Sequence, residues 1–162
     1  MNIVVEGPDG SGKTTLIHYL LNSVNGFMLK SGEGPPKFPG EIIDRCIRYL
    51  SMDGYIMDRH PVISHSIYDQ FRKEQEPIPE EIVKSFYRSY PIIIYCHGRI
   101  GSHELKAYDL PNHVKMVEEK DKQIRLSYDE WARCIVPRHF WYTPDSTQRI
   151  TDLVKERLSH VD

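Results

Sequence analysis

A parallel α/β fold of three layers, with a mainly parallel five-stranded sheet covered on both faces by helices, is predicted by three observations. Short apolar runs rich in β-branched residues, such as Ile3-Val4-Val5 and Ile92-Ile93-Ile94, alternate with stretches of helical periodicity along the whole chain. A glycine-rich turn over residues 7–12 stands directly between the first strand and the first helix. The 162 residues, 40% hydrophobic and 27% charged, suffice for one continuous core and not comfortably for two, so residues 1–162 are read as a single domain.

The first strand covers residues 2–6. Leu16, Ile17, Leu20 and Leu21 recur at helical spacing, which predicts a helix over 13–21 that stops near 22–26. Phe27-Met28-Leu29 is a second strand, and the prolines and glycines of residues 31–40 exclude regular structure. Residues 41–50 place Ile42, Ile43, Cys46, Ile47 and Leu50 on one helical face, with Asp44, Arg45, Arg48 and Tyr49 at its edges. Tyr55-Ile56-Met57 is a third strand ending on Asp58. Helices over 64–73 and 80–90 flank a proline-containing break at 76–79, and residues 92–96 form the fourth strand. Pro111 suits the first turn of a helix running to about residue 134. Along it Val114, Val117, Ile124, Tyr128, Trp131 and Ile135 make an interrupted apolar stripe, and Glu118, Glu119, Lys120, Asp121 and Lys122 its solvated face. Residues 139–142 are the last strand, and Asp145 or Ser146 caps a closing helix to about residue 158. Tyr87, Tyr90, Tyr95 and Tyr128 read as core or rim packing.

Several function classes recede on composition. A net charge of −2 provides no global field for a polyanion, so any contact with nucleic acid must be local. Cys46, Cys96 and Cys134 lack C-x-x-C spacing and read as buried free thiols of a reducing compartment. None of the eight histidines forms a zinc-binding pair. No apolar run approaches the roughly 20 residues of a membrane span, so the expectation is a cytoplasmic protein without a membrane partner.

Gly7-Pro8-Asp9-Gly10-Ser11-Gly12-Lys13-Thr14 matches G-x-x-x-x-G-K-S/T in full, with a strand before it and a helix after it. In such a loop backbone N–H groups point inward around phosphates, and the helix N-terminus adds its positive end. The ATP-binding set is therefore Gly7, Asp9, Gly10, Ser11, Gly12, Lys13, Thr14 and Thr15. Lys13 offers a charge to the outer phosphates and Thr14 a hydroxyl to Mg2+. Asp58-Arg59-His60 follows the third strand, and in a parallel sheet the C-terminal strand ends converge on the ligand crevice. A carboxylate at Asp58 there can hold Mg2+ beside Thr14.

Glu6 to Thr15 together with Asp58-Arg59-His60 resembles the thymidylate kinase group of P-loop kinases, which implies a P-loop NTPase fold of nucleotide-kinase type. The resemblance implies that Asp9 and Arg59 contact the acceptor nucleotide and that Asp58 lies by the metal. It also implies that Arg45 or Arg48, on the helix over 41–50, faces the acceptor, and that catalytic cations sit in a lid, here residues 97–111 with Arg99 and Lys106. The chain departs from the group in its short length, in Gly32-Glu33-Gly34-Pro35-Pro36 after the second strand, and in a lid poor in arginine. Compact genomes such as those of phages encode short kinases of this kind, which would place the protein in a host cytoplasm.

The acceptor stays open at this stage. A deoxynucleoside monophosphate attacks with an oxygen already ionised, whereas a hydroxyl acceptor benefits from a positioned carboxylate, for which Asp9, Glu33 and Asp58 are available. Hydroxyl acceptors include a deoxynucleoside and a hydroxymethylated base in phage DNA, as in a 5-hydroxymethyluracil DNA kinase. For DNA, Lys37, Arg45, Arg48, Lys73 and Arg88 could form a basic strip, with Phe38 or Tyr49 stacking on a base. A P-loop ATPase or switch is a third class, with no N-K-x-D motif to support it. Self-association as a homodimer is also open.

Overall fold

A computed structural model describes residues 1–98 and 111–160, the side chains of 111–114 apart. The strands are β1 (Ile3–Glu6), β2 (Met28–Lys30), β3 (Tyr55–Asp58), β4 (Ile92–Cys96) and β5 (Trp141–Tyr142). The helices are α1 (Lys13–Ser23), α2 (Glu41–Leu50), α3 (Pro61–Asp69), α4 (Glu80–Arg88), α5 (Pro111–Ile135) and α6 (Thr147–Ser159). The strands form one sheet in the order β2-β3-β1-β4-β5, every neighbouring pair parallel. β1 is therefore central, and the loop leaving its C-terminal end is flanked by the ends of β3 and β4.

Because successive strand side chains point to opposite faces, β1 feeds two cores. Ile3 and Val5 join Leu16, Ile17 and Leu20 of α1 and Ile150 and Val154 of α6. Val4 joins Ile42 and Cys46 of α2, Val62 and Ile67 of α3, Phe86 of α4, and Ile124 and Tyr128 of α5. The three layers are thus α1 and α6, the sheet, and α2 to α5. Among the described residues no helix is long and apolar enough to cross a membrane.

Several elements differ from the sequence expectation for identifiable reasons. The third helix begins at Pro61, not residue 64, because the His60 side chain accepts from Val62 N and proline is preset for the first helical turn. It ends at Asp69, whose carboxylate accepts from Glu76 N and turns the chain back. On α2 the buried residues are Ile42, Arg45, Cys46 and Tyr49, while Ile47 is 55% exposed. The helix turns Arg45 inward because the guanidinium meets the Gly34 carbonyl and the carboxylates of Glu33 and Glu41. Tyr49, buried, has no face on which to stack a base. Residues 138–140 form a 3-10 turn ahead of a two-residue β5. Cys46 and Cys96 are buried but Cys134 is exposed, and Asp121 is ion-paired to Arg125 instead of belonging wholly to a solvated face. Of the four tyrosines, Tyr95 and Tyr128 are core, whereas Tyr90 is exposed.

Candidate phosphate-binding site

The turn from β1 into α1 requires glycine at specific points. Gly7, Gly10 and Gly12 have φ of 148°, 70° and 87°, values that L side chains rarely adopt. A Cβ at Gly7 would stand 2.4 Å from the Cys96 carbonyl of β4. The loop therefore lies flat against the end of β4 before Gly12 starts α1.

Three cations from three elements hold three consecutive carbonyls of this loop. Arg59, just past β3, donates to Gly7 O at 3.2 Å; Lys13, at the start of α1, to Pro8 O at 2.7 Å; and Arg125, on α5, to Asp9 O at 2.8 Å. The Asp9 carboxylate is held from the same side as Gly7, by Arg59 Nη2 at 2.7 Å and by the Tyr68 hydroxyl at 3.2 Å. Burial alone would raise the Asp9 pKa, but Arg59 and Lys13 hold it well below the usual carboxylate range. Burial, helped by Arg59, lowers Lys13 to about 8 against the pull of Asp9 and Asp58.

Glu6 lies beneath this layer, fully buried, accepting from His60 N at 2.6 Å and from the Tyr128 hydroxyl at 3.2 Å. Burial raises it to about 7, although Arg59, His60 N and Lys13 pull the other way. Its two oxygens tie α5 to the backbone at Arg59-His60, where the chain turns out of β3 with Arg59 at φ 70°. Arg59 is thus aimed at the loop by the carboxylate that ends β1, the strand leading into that loop.

Unpartnered donors gather around the loop. Ser11 Oγ, Arg59 Nε and Arg125 Nη1 are buried without a hydrogen-bond partner among the described residues. Arg45 Nε also lacks a well-angled hydrogen bond, but it lies 3.1 Å from Glu33 Oε2 and is balanced by that ion pair. Buried donors without acceptors are costly, and three around one glycine loop suit a ligand rich in acceptor oxygens.

The remaining predicted residues divide into two places. Thr14 and Thr15 are exposed at the start of α1, and Asp58 is half-buried at the end of β3, where its carboxylate makes no hydrogen bond among the described residues. A Cβ at Gly32 would stand 2.7 Å from the Asp58 carbonyl, so the 31–34 segment crosses directly over β3. Glu33, Arg45 and Arg48 form a separate cluster with Lys30: the Glu33 carboxylate lies 2.8 Å from Lys30, 3.1 Å from Arg45 and 2.9 Å from Arg48. These cations lower the Glu33 pKa against the opposing effect of its partial burial. Arg99, Lys106 and all but the ends of the 97–111 segment lie outside the described residues.

Sequence reasoning missed Glu6, Tyr68, Tyr128 and Arg125 as members of the site. Glu6 was visible as a carboxylate ending an apolar strand, a costly place unless it is partnered. Arg125 and Tyr128 carried no local mark, because their partners are more than a hundred residues away in sequence.

No family model and no curated protein matches the chain. Among solved structures, YorR protein from Bacillus subtilis, in complex with phosphorylated GDP, superposes with a TM-score of 0.68 over 98% of this chain and 96% of that one, at 17% identity. Deoxyadenosine kinase from M. mycoides, with products dCMP and a flexible dCDP bound, superposes with a TM-score of 0.50 over 100% of both chains at 12% identity. The chain shares the five-stranded parallel α/β fold of these two structures. At these identities the likeness is one of fold.

Proposed function

We propose that this chain is a one-domain, ATP-dependent kinase of nucleotide type that moves the γ-phosphate of ATP to a deoxynucleoside monophosphate, as in the thymidylate kinase group. The observation that carries this reading is the delivery of Arg59 from the end of β3 onto Gly7 and Asp9 of the glycine loop. One cation thereby borders both the donor cradle and the crevice in which an acceptor would lie. Phosphoryl transfer needs alignment and charge neutralisation more than covalent help. Lys13 neutralises the outer phosphates, the loop amides and Ser11 cradle them, and Arg59 steadies the acceptor phosphate.

The carboxylates favour an acceptor that arrives ionised. Asp9 is committed to Arg59 and Tyr68, and Glu33 to Lys30, Arg45 and Arg48, so neither is poised to take a proton. A phosphate monoester at neutral pH needs no such base. The nucleotides held by the two structural neighbours, phosphorylated GDP in one and dCMP with dCDP in the other, also support a nucleotide ligand.

The residues present fit Mg2+ as this chemistry uses it. The Asp58 carboxylate has no competing hydrogen bond among the described residues and Thr14 is exposed, a sparse oxygen set of the kind Mg2+ completes with substrate phosphates and water. Thr14 and Asp58 would hold the ion, which when bound offsets charge on the transferring phosphoryl group.

One observation favours a second reading. Asp58 is the carboxylate of the three candidates left without a partner among the described residues, and it could serve a hydroxyl acceptor, in a deoxynucleoside or in hydroxymethylated DNA. The basic strip that DNA would require is weakened, because Arg45 is buried and Arg48 is paired with Glu33. Incubation with γ-labelled ATP and a panel of nucleosides, nucleoside monophosphates, and plain and hydroxymethylated DNA separates the two. Label on a monophosphate supports the first reading; label confined to a nucleoside or to DNA replaces it with the second.

A further inference from the structure

Of the three cations that hold the loop carbonyls, Lys13 and Arg59 already have places in the proposed chemistry, and Arg125 does not. Arg125 stands on α5 at 5% exposure. Its Nε donates to both oxygens of Asp121, one turn earlier on the helix, at 3.0 and 2.9 Å. That pair fixes the guanidinium plane, so its two remaining nitrogens project as a rigid fork. Nη2 reaches the Asp9 carbonyl at 2.8 Å. Nη1 is buried without a partner among the described residues, beside Gly98, where a Cβ would stand 2.6 Å from Nη1 and 2.8 Å from Ser11 Cβ.

An apolar side chain would fill this space without burying a charge and leaving a donor unsatisfied. What the guanidinium adds is a directional bond to one peptide of the phosphate loop. No cis peptide occurs among the described residues, and in a trans peptide the carbonyl and the following N–H point in opposite directions. With its carbonyl drawn toward α5, the Asp9-Gly10 peptide turns the Gly10 N–H away from α5 and back across the loop. We infer that Arg125 is a positioning residue for phosphoryl transfer: anchored by Asp121, it sets this peptide plane so that the Gly10 N–H meets a phosphoryl oxygen of the donor nucleotide. The inference rests on the reading of the loop as a donor site. It adds a residue of α5 to the machinery, and Gly98 as the position that must stay small for the fork to pass.

The test is amide spectroscopy of glycine-labelled protein titrated with ADP and Mg2+, together with kinetics of transfer. In the wild type the Gly10 and Gly12 amide resonances both move on ADP addition. In Arg125→Met the Gly12 response persists while that of Gly10 is lost, and kcat/KM falls by about 10²-fold, mostly in kcat, as expected for a misplaced loop. Arg125→Lys keeps a cation without the fork and falls between; it decides the matter if the methionine variant does not fold. An undiminished Gly10 response in the variant overturns the inference. So does an equal weakening of Gly10 and Gly12 with a matching drop in thermal midpoint, which would make Arg125 a packing residue only. Absence of any glycine response in the wild type removes the donor-site reading itself, and this inference with it.

Discussion

Arg59 Nη2 lies 2.7 Å from Asp9 Oδ1, which joins the end of β3 to the middle of the glycine loop through an ion pair that Tyr68 shares. Both side chains are between a fifth and a quarter exposed, so the pair is partly screened and is worth less than a fully buried one. Removing Arg59 leaves Asp9 half-buried, with the Tyr68 hydroxyl and the charge of Lys13 to stabilise it. Arg59→Ala is expected to lower stability by about 1 kcal/mol and to reduce transfer far more than ATP affinity. Urea unfolding checks the first, and kcat beside a nucleotide binding constant checks the second. An effect confined to ATP affinity would place Arg59 on the donor side.

Glu6 gives stability a pH dependence with a definite sign. Its pKa rises on folding, from 4.5 to about 7, so the folded protein holds a proton that the unfolded chain releases. The resulting stabilisation is complete below pH 4.5 and is lost as the pH rises through about 7. At ~1.4 kcal/mol per pKa unit, and allowing for the neighbouring Lys13 and Arg59, the loss is roughly 1 to 3 kcal/mol. Unfolding free energies measured across this window should fall for the wild type and stay flatter for Glu6→Gln.

Lys13 titrates in the opposite sense. Burial holds its pKa near 8 in the free protein, and the phosphates of a bound nucleotide would raise it again. At pH 8.5 to 9 ATP binding should therefore take up a proton, about half or more per site. Calorimetry in buffers of different ionisation enthalpy measures this uptake. It should be absent at pH 6 and absent in Lys13→Met at any pH.

Gly98 offers a steric test of how tightly α5 and the loop are joined. Its Cβ would meet Ser11 Cα at 3.0 Å and Ser11 Cβ at 2.8 Å, and the loop backbone cannot yield as a flexible side chain could. Gly98→Ala should cost about 1 to 3 kcal/mol of stability and weaken nucleotide binding, as read by thermal denaturation with and without ATP.

Much of the architecture was legible because it is written in local patterns. Ile3-Val4-Val5 and Ile92-Ile93-Ile94 marked central strands, and the strand-loop-helix context of Gly7 to Thr14 placed the glycine loop between β1 and α1. Boundaries failed where a side chain outranked periodicity. His60 capped α3 earlier than its apolar repeat suggested, and the 31–40 loop drew Arg45 into the face of α2 that Ile47 was expected to share. Within the site, Arg59 could be placed because strand ends converge, whereas Glu6, Tyr128 and Arg125 meet only after α5 packs across the end of β1. Contacts of that range leave no trace in spacing.

The central claim is that the loop held by Arg59, Lys13 and Arg125 serves transfer to an acceptor, not hydrolysis for its own sake. The most direct measurement is release or transfer of label from γ-labelled ATP by the wild type and by Lys13→Ala, with and without added deoxynucleoside monophosphates. Transfer to a monophosphate, well above the rate of hydrolysis without acceptor and lost in Lys13→Ala while the fold persists, is the predicted result. Hydrolysis as fast without acceptor as with every one of them, or activity undiminished in Lys13→Ala, would contradict it.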